Sequence, residues 1–179
     1  MENISKVLES GNSQEKIKIL ETLESTDNPE ILEKIISKLD DDDIQVRGEA
    51  FSTLVLNKNK ISNFLINSLN SASKNIRGFA SLVLANRNDT SAIPEIIKLA
   101  NDERSMVRSC ALGALGHLKA REAKEIFLES LMDFNLDVRK SALQAIIELN
   151  ISITEDKIKE INKEKDPEIE KLLSQLKNL

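Results

Sequence analysis

Tryptophan and tyrosine are absent from this 179-residue chain, which holds five phenylalanines, five glycines, three prolines, one cysteine and one histidine. Each scarcity excludes something. A lone cysteine forms no intramolecular disulfide, and one Cys with one His does not complete a tetrahedral zinc site. No apolar run approaches the roughly 18 residues that a membrane-spanning helix needs. The opening Met1-Glu2-Asn3 is neither basic nor followed by an apolar core, which predicts no secretory signal and a cytoplasmic, soluble protein. So few aromatic rings leave little for single-stranded nucleic acid to stack on. Phosphate-cradling glycine loops and nucleophile elbows are missing, so no cofactor is expected.

Positive charge is also in deficit. Lys and Arg number 25 against 30 Asp and Glu, a net charge of −5. That balance opposes general nucleic-acid binding, whose affinity comes largely from cations on phosphates. Charge varies mildly along the chain. Residues 61–120 carry seven basic and four acidic side chains, whereas both flanks are acidic.

What the chain does have is an internal repeat. The segments around Arg47, Arg77, Arg108 and Arg139 share Val or Ile before the Arg and Ala three positions after it. These arginines stand 30, 31 and 31 residues apart. Lys16 lies 31 residues before Arg47, and Glu170 lies 31 after Arg139, so six copies tile the chain and the outer two are degraded. Each copy reads as two helices. From Val107, residues Ala111, Ala114, Leu115 and Leu118 fall on one narrow arc at about 100° per residue, a buried stripe. Val138, Ala142, Ala145, Ile146 and Leu149 repeat it. First helices carry their own stripes, such as Ile31, Leu32, Ile35, Ile36 and Leu39. No segment alternates with period two, so no sheet is expected. Pro29 and Pro167 follow capping residues and mark helix starts, and Thr90 and Ser91 are expected to cap the helix containing Pro94. The run Asp40–Asp43 reads as a turn that caps the next helix, since it lacks the glycine and glutamate spacing of a calcium loop.

The framework Asp-x4-Val-Arg-x2-Ala recurs as Asp41, Val46, Arg47, Ala50; as Asp102, Val107, Arg108, Ala111; and as Asp133, Val138, Arg139, Ala142. With it, residues 89–118 closely resemble a HEAT repeat, in particular the short HEAT-like subtype first named from phycobilin lyases. The resemblance runs from about Ile4 to Leu176. It implies an all-α, right-handed α-solenoid of about six HEAT-like helix-turn-helix repeats, in one domain spanning 1–179. The repeats are expected at about 1–26, 27–58, 59–88, 89–119, 120–150 and 151–179, the first and last acting as caps. Copy three departs with Ser71 in the Asp position; copy six has Glu164 there and Glu170 in the Arg position. The resemblance further implies that each Arg pairs with an Asp from a neighbouring turn. Asp41, Arg47, Arg77, Asp102, Arg108, Asp133 and Arg139 are therefore assigned to a structural ladder rather than to phosphate binding.

The residues that catalytic proteins of this architecture need are missing. A deoxyhypusine hydroxylase-like activity needs several His-Glu pairs, whereas the single His117 is followed by Leu118. An alkylpurine glycosylase-like activity needs a basic face with Trp. Cys110 and His117 lie on one helix face but about 10 Å apart, too far for direct activation. The chain is therefore expected to be no enzyme. Candidate partner-binding residues lie on the second helices opposite the buried stripe: Ser52, Leu56, Phe79, Leu82, Asn86, Cys110, His117 and Gln144. The expected function is non-catalytic protein–protein interaction, as an adaptor or scaffold, and a monomer is favoured. Two alternatives stay open: an accessory or lyase-type protein handling a bound small molecule, and a nucleic-acid-binding solenoid resting on the basic middle third.

Overall fold

The computed structural model describes residues 2–176, and all regular structure among them is helical. Six consecutive helix pairs follow one another: α1 (Glu2–Ser10) and α2 (Ser13–Leu20), α3 (Pro29–Ser37) and α4 (Ile44–Leu56), α5 (Ser62–Ser68) and α6 (Lys74–Asn86), α7 (Ile93–Leu99) and α8 (Ser105–His117), α9 (Lys124–Ser130) and α10 (Leu136–Glu148), α11 (Glu155–Ile161) and α12 (Pro167–Leu176). The fold is an α-solenoid, and it divides into two compact units, Met1–Ala92 and Ile93–Leu179. In the first unit α2 packs on α4 and α4 on α6, while α1, α3 and α5 form the neighbouring row. In the second, α10 packs on both α8 and α12, with α7 behind α8 and α9 behind α10. Like helices thus stack on like, as a repeat that buries its apolar face only against its neighbours requires.

The stripes account for this packing. Val107, Ala111, Ala114, Leu115, Val138, Ala142, Ala145 and Ile146 are buried, as are Ile31, Leu32, Ile35, Ile36 and Leu39. Small residues set the close approach of α8 and α10: a Cβ on Gly116 would stand 3.0 Å from that of Ala145. Asn28 accepts from the Ile31 N–H ahead of Pro29, Asp43 from Gln45, and Asp166 from Glu168 and Ile169 at the start of α12. One start differs from expectation. Thr90 and Ser91 belong to a short 3-10 turn, Thr90–Ala92, and it is Asp89 that accepts from the Ser91 N–H and hydroxyl. The carboxylate thus takes both donors of Ser91, and the helix opens through a 3-10 turn, as many α-helices do.

Helix ends are closed in two ways. Asn88, Lys119 and Asn150 adopt left-handed backbone (φ 54°, 55° and 51°). The next residue in each case donates back five positions, Asp89 to Leu84, Ala120 to Leu115 and Ile151 to Ile146. These are Schellman closures of α6, α8 and α10. At the end of α4 the chain instead runs on extended through Asn57, and the following repeat satisfies the exposed carbonyls. Arg87 donates to the Leu54, Asn57 and Asn59 oxygens. The Asn57 and Asn59 side chains in turn donate to Thr26 and Ser25. The corresponding position after α8 and α10 is Leu118 and Leu149, both buried, so at the end of α4 a side chain of the next repeat does what a backbone turn does at the ends of α6, α8 and α10.

Candidate functional site

The arginine column is built on two kinds of bond. Each arginine caps its own turn: Arg47 donates to the Asp41 and Asp42 carbonyls, Arg77 to Ser71 and Ala72, Arg108 to Asp102 and Glu103, and Arg139 to Asp133. Arg108 also reaches the next repeat, with Nε and Nη2 on the two carboxylate oxygens of Asp133 at 2.8 and 2.9 Å. Only 6% of Arg108 is exposed. Burial alone would raise the Asp133 pKa, but the Arg108 hydrogen bond, the Asn135 N–H and the Arg108 and Arg139 charges outweigh it and lower the value. The same bridge recurs in the first unit with a lysine in the arginine position: Lys16 donates to Asp41 at 2.8 Å, and Lys38 adds a second cation. Asp41 is likewise lowered, against burial, by Lys16, the Asp43 N–H and Lys38. Within the same acidic run, Asp40 accepts from Asn75 of the next repeat and Asp43 caps α4. The Glu164 side chain lies outside what the structure describes.

On the outward face of the first unit, α4 presents Ser52, exposed, and Leu56, 54% exposed. On α6, Phe79 and Leu82 are half-buried and Asn86 is exposed, its amide donating back to the Leu82 carbonyl. Gly78, the residue before Phe79 on the same helix, is buried.

In the second unit, His117 and Gln144 are exposed, and Gln144 donates to Glu148. Cys110 is half-buried, with its sulfur 3.6 Å from that of Met106. Burial pushes its thiol pKa up to about 11, which leaves the thiol protonated and unreactive near neutrality. Two shallow grooves lie along this face. One, about 360 Å³, is lined by Met106, Ser109, Cys110 and Ser141; the other, about 280 Å³, by Gly113, Gln144, Glu148 and Leu172.

Two features escape the repeat alignment. Lys16 belongs to a degraded copy in the alignment, yet its 31-residue register puts it in the arginine's place, and it makes the arginine's bridge. Phe134, 85% exposed, takes the place held elsewhere by Asp42, Ala72 and Glu103. Its ring centre lies 4.8 Å from the Arg108 guanidinium, a cation–π contact that shields one face of the buried ion pair.

The two glycines of α8 make a paired test. A Cβ on Gly113 would meet nothing within 4 Å, so Gly113→Ala is expected to stabilise by about 0.5–1 kcal/mol through helix propensity. Gly116→Ala is expected to destabilise, since the added carbon would press on Ala145. Denaturant midpoints of the two variants decide.

Fold and face together define the chain as an α-solenoid repeat protein. A family model for HEAT repeats matches residues 62–147. The chain is similar to the complex of CpcE and CpcF of phycocyanin lyase from Nostoc sp. PCC7120, at 19% identity, covering 82% of this chain and 99% of that one, with a TM-score of 0.67. It is also similar to a designed armadillo repeat protein in complex with the peptide (KR)4, at 18% identity over 98% and 97% of the two chains and a TM-score of 0.59. A computationally designed armadillo repeat protein for modular peptide recognition gives 18% identity, 98% coverage of each chain and a TM-score of 0.58. At these identities the likeness is one of fold. No curated protein sequence matches the chain. Among the described residues, no helix is long and apolar enough to cross a membrane.

Proposed function

We propose that the chain is a non-catalytic protein-binding module, an adaptor or scaffold that holds a partner segment against the outward face of its second helices. Ser52, Leu56, Phe79, Leu82 and Asn86 form this surface in the first unit; Cys110, His117 and Gln144 belong to the corresponding surface in the second. One observation carries the reading. Gly48 and Gly113 stand inside helices on this face, and a Cβ on either would meet nothing. A helix-interior glycine costs about 1 kcal/mol relative to alanine, and nothing within the fold requires that cost here. A partner's main chain drawn close to the helix surface does require it. The solved relatives that bind peptides support the same use of the fold. The ladder residues Asp41, Arg47, Arg77, Asp102, Arg108, Asp133 and Arg139 are structural in this reading.

Ser52→Arg with Leu56→Arg tests it. Both side chains are exposed, so the double variant is expected to keep the parent's helical circular dichroism. It is also expected to lose the protein that the tagged parent retains from an extract of the source cells. A folded double variant that retains the same protein would reject this face.

The likeness to phycocyanin lyase subunits favours a second reading, an accessory protein handling a bound small molecule. The grooves beside Ser109 and Gly113 are where such a molecule would lie. Native mass spectrometry of protein purified from its source would show it as an added mass.

A further inference from the structure

The outward face of the first unit has a chemical asymmetry that the sequence alone does not expose. Along α4, Glu49, Ser52 and Leu56 follow at intervals of three and four, so they line one side of the helix. Beside them on α6, Phe79 and Leu82 are half-buried and leave part of their apolar surface in water. On the other side, α2 ends at Leu20 and is followed by Glu21 as its C-cap, with Glu24 in the next turn. Glu21 and Glu24 are exposed and Glu49 is half-buried.

Among the described residues no ion pair engages Glu21, Glu24 or Glu49. In the same unit Asp41 is paired with Lys16 and Lys38, and Glu9 with Lys34, whereas Asp27, Glu30 and Glu33 are, like the three acids of this face, in no ion pair among the described residues. Lys18, one turn before Glu21, joins none of these pairs. The C-terminal end of α2 adds its own partial negative charge beside Glu21. The cost of this crowding registers at Glu49, whose pKa is raised first by burial and then by the Glu21 and Glu24 charges.

We infer that the first unit docks an amphipathic segment of a protein partner that lays aliphatic side chains over Leu56, Phe79 and Leu82 and sets lysines or arginines against Glu21, Glu24 and Glu49. The occupant follows from charge complementarity. Three carboxylates bordering a partly exposed apolar strip repel phosphate and other anions, and they gain from a cation that arrives already anchored by apolar contact. An amphipathic helix presenting aliphatic residues three and four apart, with cations along one flank, supplies both. The inference rests on the outward face being the partner-binding surface, and adds the chemistry of what binds there.

The test uses the full chain and three synthetic helix-forming peptides. All share leucines spaced three and four apart on an alanine frame, and their flanks carry lysine, glutamine or glutamate. Fluorescence anisotropy reads binding. The lysine peptide is expected to bind about tenfold or more tightly than the glutamine peptide, and the glutamate peptide not measurably. Its advantage should shrink as salt is added. Glu21→Gln, Glu24→Gln and Glu49→Gln together should cancel that advantage. Neutralising Asp27, Glu30 and Glu33, exposed acids of the same unit around the start of α3, should leave it intact. If both triple variants weaken lysine-peptide binding equally, attraction is to net charge alone and the site is rejected. If glutamine and lysine peptides bind equally, the charge inference falls while the face remains a binding surface. If none of the peptides binds, and Ser52→Arg with Leu56→Arg still retains the cellular partner, the inference falls together with the reading beneath it.

Discussion

Arg108→Ala is expected to destabilise the protein by about 3–5 kcal/mol, the range for breaking a buried ion pair on one side. The change removes both hydrogen bonds to Asp133 and the cap on the Asp102 and Glu103 carbonyls. It also strips the cation from beneath Phe134. Asp133 keeps its burial without its main compensation. The pH dependence follows from the direction of its shift. A carboxyl whose folded pKa lies below its unfolded value contributes stability that is full above the unfolded value and is lost as the pH falls through the folded one. In the parent, Asp133 therefore supports the fold at neutral pH and fails it in acid. In Arg108→Ala the folded pKa of Asp133 rises, so part of the neutral-pH stability is already missing and the loss on acidification is shallower. Thermal unfolding from neutral to acid pH, for the parent, Arg108→Ala, Asp133→Asn and the double variant, gives the coupling. A double variant no worse than the single ones would show that the two residues act as one unit.

Phe127→Ala is expected to cost about 3–5 kcal/mol, the range for emptying a buried aromatic site. Phe127 is 0% exposed on α9, among the largest fully buried side chains, and α9 is a helix of only seven residues. So short a helix has little stability of its own and depends on what it inserts into α10. Phe134→Ala, seven residues on and 85% exposed, should cost about 1 kcal/mol or less, the worth of one exposed cation–π contact. Denaturant unfolding monitored by circular dichroism separates them. Equal losses would contradict the assignment of Phe127 to the core and Phe134 to a surface cover.

The helix pairs were legible because the buried stripe is an arithmetic pattern. Val107, Ala111, Ala114 and Leu115 need only their spacing to be placed on one face, and the proline and acid positions mark the turns. The recurrence of Arg108 and Asp133 was legible in the same way, but their pairing across copies came from the resemblance to HEAT repeats and not from the spacing. What the pattern hid were single substitutions that change chemistry without breaking register. Arg87 stands where Leu118 and Leu149 stand, and no spacing rule tells that it clamps the carbonyls at the end of α4. Phe134 stands where Asp42, Ala72 and Glu103 stand, so its stacking on a cation from the previous repeat depends on a distance along the stack. Thr90 and Ser91 were expected to accept as caps, whereas the Ser91 hydroxyl donates to Asp89, a direction that residue type alone does not tell. The candidate face was legible as a set of outward positions. Its division into an apolar strip bordered by Glu21, Glu24 and Glu49 was not, because those acids come from the turn after α2 and from α4, whose side-by-side placement the sequence leaves implicit.

The division of labour between column and face is tested most directly by one measurement. It is the affinity of the partner retained by the parent for Arg108→Ala and for Ser52→Arg with Leu56→Arg, taken at a temperature where circular dichroism shows both folded. Arg108→Ala, though much less stable, should bind with the parent's affinity, and the stable double variant should not bind. An Arg108 variant that is folded but fails to bind, beside a double variant that binds normally, would make the charged column the recognition surface and contradict the account.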